Sequence, residues 1–180
     1  RKAKDFINVV HVPKTIDNDI PLPEGASTFG YQTARHLGVK LVKNIMEDAR
    51  TTGRWYFITT MGRHSGHLAL GIGKAAGATI TLISEEFEDK ISFKKVADIL
   101  AGSVIKRLSM GRDHGVAVLA EGIAGKFDLE ELSTFEHLEK DETGRIRLSE
   151  IQLGRIIKNL VRDTLDSFNI NVKIVDKNIG

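Results

Sequence analysis

The feature that most constrains this chain is the alternation of short apolar, β-branched runs with longer segments of helical periodicity. Such alternation is typical of βαβ units, whose strands pair in parallel and are covered by helices on both faces. The sequence therefore predicts an α/β three-layer sandwich with a mostly parallel sheet, in a single domain spanning residues 1–180. The predicted strands are 5–12, 54–60, 78–84, 115–122 and 172–176, and the predicted helices are 27–50, 65–77, 92–111 and 149–168.

Apolar spacing within the predicted helices indicates which faces are buried. In helix 27–50, apolar side chains recur at three- and four-residue steps and define a predicted inward row of Ala34, Leu37, Leu41, Ile45 and Ala49. Ser92 is a plausible N-cap for helix 92–111. The charged, weakly patterned segment 126–148 is expected to be a solvated surface.

Composition excludes several classes of protein. The 180 residues are 41% apolar and 28% charged, which is ordinary for a soluble globular protein. A formal charge of +2 and 6% aromatic residues argue against a nucleic-acid partner, and no apolar run approaches the ~20 residues needed to cross a membrane. Cysteine is absent, which excludes disulfides and fits a cytoplasmic protein. Because the chain begins at Arg1 without Met, we expect it to be a piece of a longer protein.

Parallel α/β sheets bind ligands beyond the carboxyl ends of their strands. Three segments with chemically active side chains stand at such ends: 13–19, 61–66 and 120–124. Each of them is a candidate binding or catalytic element, with an ordinary turn as the alternative.

The first segment belongs to the octet VPKTIDND, residues 12–19. Lys14 offers a point charge suited to a phosphate, and Asp17 and Asp19 could serve as a general base or as magnesium ligands. The alternative is an Asx-type turn in which Asp17 and Asn18 bond only their own backbone. Both interpretations are open at this point.

The second segment is the motif MGRHSGH. Gly62 would let a ligand approach the backbone, Arg63 offers a planar fork that matches phosphate oxygens, and the helix beginning near Ser65 would aim free N–H groups at an anion. The alternative is a simple strand-to-helix turn with a solvated arginine. His64 and His67 lack a third ligand at zinc-like spacing, so they are weak metal candidates.

The third segment, LAEG, places Glu121 just past a predicted strand. A carboxylate in that position, followed by Gly122, can accept hydrogen bonds from sugar hydroxyls. Taken alone, it is more often an acid satisfied within its own loop.

A further stretch, GIGKAA at residues 71–76, matches a dinucleotide-binding pattern but falls inside a predicted helix. The tight strand-to-helix turn that explains those glycines in dinucleotide sites is missing. Close helix packing is the better explanation of Gly71 and Gly73. The residue after Lys74 is Ala75, which has no hydroxyl to hold magnesium, so this is not a Walker loop.

Together, PKTIDND, MGRHSGH and AEG, in this order and at these separations, resemble the phosphofructokinases. The stretches TFGYQTARHLG and RWYFITTMGRHSGHLALGIGKAAGAT are similar to the same family, and the resemblance runs from about residue 6 to the end of the chain. It implies transfer of a phosphoryl group to the 1-hydroxyl of fructose 6-phosphate in glycolysis, giving fructose 1,6-bisphosphate. It also implies Mg²⁺ as cofactor and a homodimer or homotetramer with shared active sites.

The resemblance implies roles for individual residues. The implied substrate-binding positions are Thr15, Ile16, Asp17, Met61, Gly62, Arg63, Glu121 and, reaching a neighbouring subunit's sugar phosphate, Arg54. Among them, Asp17 is implied as general base, Arg63 as the group that steadies the transferring phosphoryl, and Glu121 as the partner of the sugar hydroxyls. Thr15 would lie beside the transferred group, and Asp19 close to the magnesium.

Lys14 bears on the phosphoryl donor and is implied as a catalytic residue. Pyrophosphate-dependent members carry lysine there and bacterial ATP-dependent members usually carry glycine, although some ATP-using branches also have lysine. We expect pyrophosphate as donor, with ATP as the alternative, and a non-catalytic phosphosugar-binding regulatory subunit or a nucleotide-dependent oxidoreductase as remoter hypotheses. Because the upstream glycine-rich loop and the later basic residues of the family are outside this sequence, we expect the chain to be the sugar-phosphate-binding part with the catalytic loop, inactive alone.

Overall fold

Four parallel strands form the central sheet of the computed structural model, which describes residues 8–88, 90–128, 130–131 and 152–179. Their spatial order is β4 (Ile80–Leu82), β5 (Gly115–Ala120), β3 (Arg54–Thr60) and β6 (Lys173–Ile179). The two inner strands are apolar on both faces and almost fully buried, as a sheet covered on both sides requires. The predicted parallel sheet is confirmed.

Helices cover the sheet in two layers. α1 (Tyr31–Thr52) packs against α2 (His67–Ala76), and α3 (Phe93–Ser109) packs against α4 (Leu153–Ser167). The connection from β3 to β4 runs in the opposite direction along the sheet to the connections from β4 to β5 and from β5 to β6. Since such crossovers are right-handed, α2 lies on one face of the sheet, and α3 and α4 lie on the other. The predicted three-layer arrangement follows.

A two-stranded parallel ladder lies apart from this sheet. β1 (Lys14–Thr15) pairs with β2 (Phe29–Gly30), and Phe29 N–H donates to the Pro13 carbonyl at 2.8 Å. β2 continues directly into α1, so the octet is attached to the start of that helix. Gly30 has φ 100°, a left-handed value that stops the ladder and turns the chain.

The predicted strand 5–12 is wrong over the residues that the structure describes, and residues 5–7 lie outside them. Residues 8–12 have no regular structure and are exposed, with Val9 at 84% and Val10 at 86%. A β-branched run becomes a strand only where a neighbouring strand offers an open edge, and among the described residues the first ladder pair begins at Lys14. The sequence pattern cannot show whether such an edge exists.

Two of the five residues predicted to face inward on α1 are exposed, Leu37 at 56% and Leu41 at 39%. Of the other three, Ala49 is buried together with Gly38 and Val42, and Ala34 and Ile45 pack against the core while partly buried. Gly38 leaves room for Ile72 of α2, whose Cδ1 lies 2.3 Å from the position that a Cβ would occupy. The close contact between the two helices therefore turns the Gly38 row, and not the leucine row, toward the core.

The other predicted elements are confirmed, with ends that differ by a few residues. Ser92 is the N-cap of α3, its Oγ accepting from the Lys95 N–H at 3.2 Å. The first residues of predicted helix 149–168 and most of the charged segment 126–148 lie outside the described residues. Among the helices that are described, none combines the length and apolarity needed to cross a bilayer.

Candidate active site

Strand register brings the second and third motifs to one edge of the sheet. Thr60 of β3 pairs with Ala120 of β5, so Met61 and Glu121 leave adjacent strands at the same level. The following loops touch, because Gly122 N–H donates to the Gly62 carbonyl at 3.2 Å. A Cβ on Gly122 would stand 2.7 Å from that carbonyl oxygen, so this close approach requires glycine.

Gly62 has a backbone role of its own. Its φ is 128°, which side-chain-bearing residues rarely adopt, and an added Cβ would stand 2.5 Å from the Ser65 carbonyl oxygen. The turn leaves the Arg63 side chain exposed beyond the strand end. Within the part of the chain that the structure describes, the guanidinium of Arg63 forms no ion pair, so it is free to meet an anion.

Thr28, which lies just before α1, holds the octet in place through hydrogen bonds. This buried residue donates from its N–H to Asn18 Oδ1 at 3.0 Å and from its Oγ1 to the Thr15 carbonyl at 2.6 Å. The local turn is closed by Thr15, whose Oγ1 accepts from the Asp17 N–H at 3.1 Å. The Asx-turn alternative is therefore wrong for Asn18, and the half-buried Asp17 carboxylate has no hydrogen bond from any described residue.

Two contacts join the octet to the second motif. His67 Nδ1 lies 2.9 Å from the Asn18 carbonyl oxygen. Ile16 and Met61 line one apolar cleft of about 310 Å³, together with residues of α1, α2 and β6. Although 44 positions separate Asp17 from Met61 in the sequence, the two motifs therefore lie next to each other in the fold.

The electrostatics of Glu121 show which charges surround it. Burial is the largest influence on the pKa of this carboxyl and raises it, and the negative charge of Asp17 also raises it. The Gly62 N–H and the Arg63 guanidinium lower the pKa, but the net shift is upward. Charges influence one another in this way only at short range. Arg63 and Glu121 therefore lie on touching loops at the carboxyl edge of the sheet, and Asp17 lies near enough for its charge to act on Glu121.

Glu85 holds the end of the second motif in place through Gly66, and sequence reasoning missed it. Its Oε1 accepts from the Gly66 N–H at 2.7 Å, and its Oε2 accepts from Ser84 Oγ at 3.0 Å. Burial raises the pKa of Glu85, but these donors, its own N–H and nearby His67 bring the pKa below its ordinary value. Applying the strand-end rule to predicted strand 78–84 would have found it.

The remaining predicted site residues are placed differently. Lys14 and Asp19 are exposed at the two ends of the octet. Arg54 is the first residue of β3, whereas Arg63 comes after the last residue of that strand. About 20 Å of strand therefore separates Arg54 from the strand end that leads to Arg63. The structure therefore does not bring Arg54 to the site of its own chain.

No group of three or more His, Asp or Glu side chains that could enclose a metal ion occurs among the described residues. His67 is engaged with Asn18 through Nδ1, as noted above.

The GIGKAA stretch lies inside α2, where packing explains its glycines. A Cβ on Gly71 would stand 2.8 Å from Tyr31 Oη, and one on Gly73 would stand 2.0 Å from Thr81 Oγ1. Helix packing is confirmed as the reason for both residues.

The fold is an α/β sandwich with charged side chains at the carboxyl edge of a parallel sheet, the edge where proteins of this class bind ligands. The sequence profile described as Phosphofructokinase matches residues 1–175. The chain belongs to the phosphofructokinase family.

The curated relatives of higher identity share one name. A protein from Thermotoga maritima is 53% identical over 99% of this chain, and one from Naegleria fowleri is 42% identical over 100% of it; both are named pyrophosphate–fructose 6-phosphate 1-phosphotransferase. An ATP-dependent 6-phosphofructokinase from Sulfurihydrogenibium is 34% identical over 84% of the chain. The chain spans less than half the length of these relatives, 43%, 44% and 45% respectively.

Solved structures agree on the fold. The phosphofructokinase of Saccharomyces cerevisiae superposes with a TM-score of 0.63 at 23% identity, covering 92% of this chain and 18% of the yeast chain. At that identity the likeness concerns the fold alone.

Proposed function

We propose that this chain is part of an enzyme that transfers a phosphoryl group from pyrophosphate to the 1-hydroxyl of fructose 6-phosphate. The observation that carries the proposal is that the loops of Arg63 and Glu121 touch at the strand edge and that the octet of Asp17 is hydrogen-bonded to the same region, in a family whose relatives of higher identity are named for this reaction. Phosphoryl transfer requires alignment and charge neutralisation more than covalent help, and this set of groups provides both.

Each of the three groups has a distinct task. Asp17 accepts the proton of the 1-hydroxyl as its oxygen attacks phosphorus, a contribution on the order of 10²–10⁴ in rate. Arg63 donates hydrogen bonds to the oxygens of the transferring phosphoryl, where a lost donor costs about 3 kcal/mol by analogy with oxyanion sites. Glu121 accepts from sugar hydroxyls and so orients the acceptor.

Residues around these three shape the site. Thr15 and Ile16 flank the base, Met61 and Gly62 form the turn that presents Arg63, and Arg54 serves the sugar phosphate of a neighbouring subunit. The position of Arg54 at the far end of β3 from Arg63 supports the last role, because it keeps Arg54 away from the proposed site of its own chain. A homodimer or homotetramer is proposed on that basis.

Lys14 is the proposed contact to the donor. It is exposed at the start of the octet, next to the hydroxyl of Thr15. A point charge there suits pyrophosphate oxygens, and the names of the relatives of higher identity favour the same donor. ATP is the alternative donor, since an ATP-dependent relative is also found.

Asp19 is the proposed protein ligand of Mg²⁺. Magnesium is commonly held by one or two carboxylates together with substrate phosphates, and no described cluster of three acidic or histidine side chains is needed for that mode. When bound, the ion would neutralise charge on the donor phosphates. Function in cytoplasmic glycolysis, without nucleic-acid or membrane partners, is proposed from composition and family.

The test is a donor assay on the full-length protein. With fructose 6-phosphate and Mg²⁺, we expect fructose 1,6-bisphosphate from pyrophosphate and little from ATP. Robust activity with ATP and none with pyrophosphate would overturn the donor assignment. The variant Asp17→Asn is expected to lower kcat by about 10²–10⁴ with KM nearly unchanged, whereas a non-catalytic regulatory subunit has no turnover to lose.

A further inference from the structure

One side chain outside the proposed catalytic set connects the octet to the Arg63 loop. His67 is the first residue of α2, and its Nδ1 lies 2.9 Å from the Asn18 carbonyl oxygen. A carbonyl oxygen can only accept, so Nδ1 must carry the proton and donate. This hydrogen bond therefore fixes the tautomer of the imidazole as well as its direction.

Asn18 is held through both its side chain and its backbone carbonyl. It adopts φ 54°, in the left-handed region that asparagine tolerates better than most residues. Its Oδ1 accepts from Thr28 N–H at 3.0 Å, while its carbonyl accepts from His67. Asn18 separates Asp17 from Asp19, so its orientation sets the directions in which both carboxylates leave the backbone.

The His67 end of the connection is equally well anchored. The His67 N–H donates to Ser65 Oγ at 3.2 Å, and its carbonyl accepts from Tyr31 Oη at 3.3 Å. The preceding Gly66 is held by Glu85, so the whole start of α2 is fixed relative to the end of β4. The imidazole thus links a rigid helix start to the catalytic loop.

We propose that His67 is a positioning residue that holds the proposed base Asp17 in register with Arg63. It acts through Asn18 and is not itself a catalytic group. The inference rests on the proposed function, because it concerns the alignment of the base and the guanidinium in that reaction.

Three variants of the full-length protein test it. His67→Leu keeps the volume and removes the donor, whereas His67→Asn keeps an N–H donor near the position of Nδ1. His36→Ala, at an exposed histidine of α1, is the matched control. We expect His67→Leu to lower kcat about 10- to 100-fold with little change in KM, because misplacement of about 1 Å costs rates of this order. His67→Asn should restore most of the loss, and His36→Ala should match wild type.

A spectroscopic measurement tests the hydrogen bond from His67 to Asn18 without depending on turnover. In the ¹⁵N-histidine-labelled protein, above the pH at which the ring becomes neutral, His67 should carry its proton on Nδ1, whereas an untethered histidine favours Nε2. The signal is assigned by its absence from His67→Asn.

The outcomes separate the two proposals. Product formation by wild type together with full activity of His67→Leu overturns the positioning role and leaves the proposed function standing. An equal loss in His67→Asn and His67→Leu also overturns it, since the donor would then not matter. If wild type forms no product, the proposed function fails. The hydrogen bond from His67 to Asn18 is then still tested by the tautomer, since a proton on Nδ1 supports it and a proton on Nε2 overturns it.

Discussion

At the scale of single residues, Glu121 combines the proposed role in sugar binding with a cost to folding. Its carboxylate is half-buried at the end of β5, where burial and the negative charge of Asp17 raise its pKa. The folded protein therefore holds the Glu121 proton more tightly than the unfolded chain does. Its favourable contribution to stability is complete below the ordinary glutamate pKa and is lost as pH rises through the raised folded pKa.

We predict that Glu121→Gln stabilises the ligand-free protein at neutral pH while raising KM for fructose 6-phosphate about tenfold, because hydrogen bonds to a charged acceptor are lost. Urea unfolding at pH 4 and pH 7 should show that the variant loses less stability than wild type as pH rises. Glu86→Gln, at an exposed carboxylate in the turn after β4, is the control. A less stable Glu121→Gln protein with unchanged KM would refute the assigned role.

The sequence was sufficient to place Arg63 and Glu121 together, because both follow apolar strands whose carboxyl ends share an edge. Asp17 was proposed on the strength of a strand at 5–12 that the described residues do not form. The sequence was not sufficient to find the contact between His67 and Asn18, since a hydrogen bond across 49 positions leaves no local pattern. Glu85 lies between these cases. It follows a predicted strand, but its importance depends on the Gly66 N–H that the fold brings to it.

At the scale of elements, the packing of α2 on β4 depends on a missing side chain. A Cβ on Gly73 would stand 2.0 Å from Thr81 Oγ1 and 3.0 Å from Thr81 Cβ, so rotation of the threonine side chain cannot relieve the clash. Gly102 of α3, in contrast, has no atom within 4 Å of the position that its Cβ would take.

These two glycines form a matched pair for a stability experiment. We predict that Gly73→Ala destabilises the protein by about 1–3 kcal/mol through overpacking. Gly102→Ala should stabilise it by up to about 1 kcal/mol, because alanine favours the helix. Denaturant midpoints measure both changes, and a neutral Gly73→Ala would show that α2 can move away from β4 at little cost.

Two predictions about the helices and strands failed in part. Periodicity located α1 but misplaced Leu37 and Leu41, which are exposed, because α2 packs closest at Gly38, where Ile72 occupies the space of a side chain. The β-branched run at 8–12 satisfied a strand pattern, yet the described residues offer it no partner. Both errors arise from tertiary contacts that override local preference.

At the scale of the whole molecule, alternation of strand and helix patterns predicted the parallel sheet and its two helical layers, since right-handed crossovers leave few other arrangements. Register then accounts for the site: once β3 and β5 pair with Thr60 beside Ala120, Arg63 and Glu121 must emerge together. The phosphoryl donor does not follow in this way. Lys14 is compatible with both pyrophosphate and ATP, and a single exposed charge cannot distinguish them.

The most direct measurement of whether Asp17 and Arg63 act on the same transferring phosphoryl is a double-mutant cycle with Asp17→Asn and Arg63→Gln in the full-length protein. With kcat/KM for fructose 6-phosphate and pyrophosphate as the readout, the double variant should lose less than the product of the single losses, with a coupling energy of about 0.5–3 kcal/mol. Losses that simply multiply, as expected for independent groups more than about 7–10 Å apart, would contradict a common cleft.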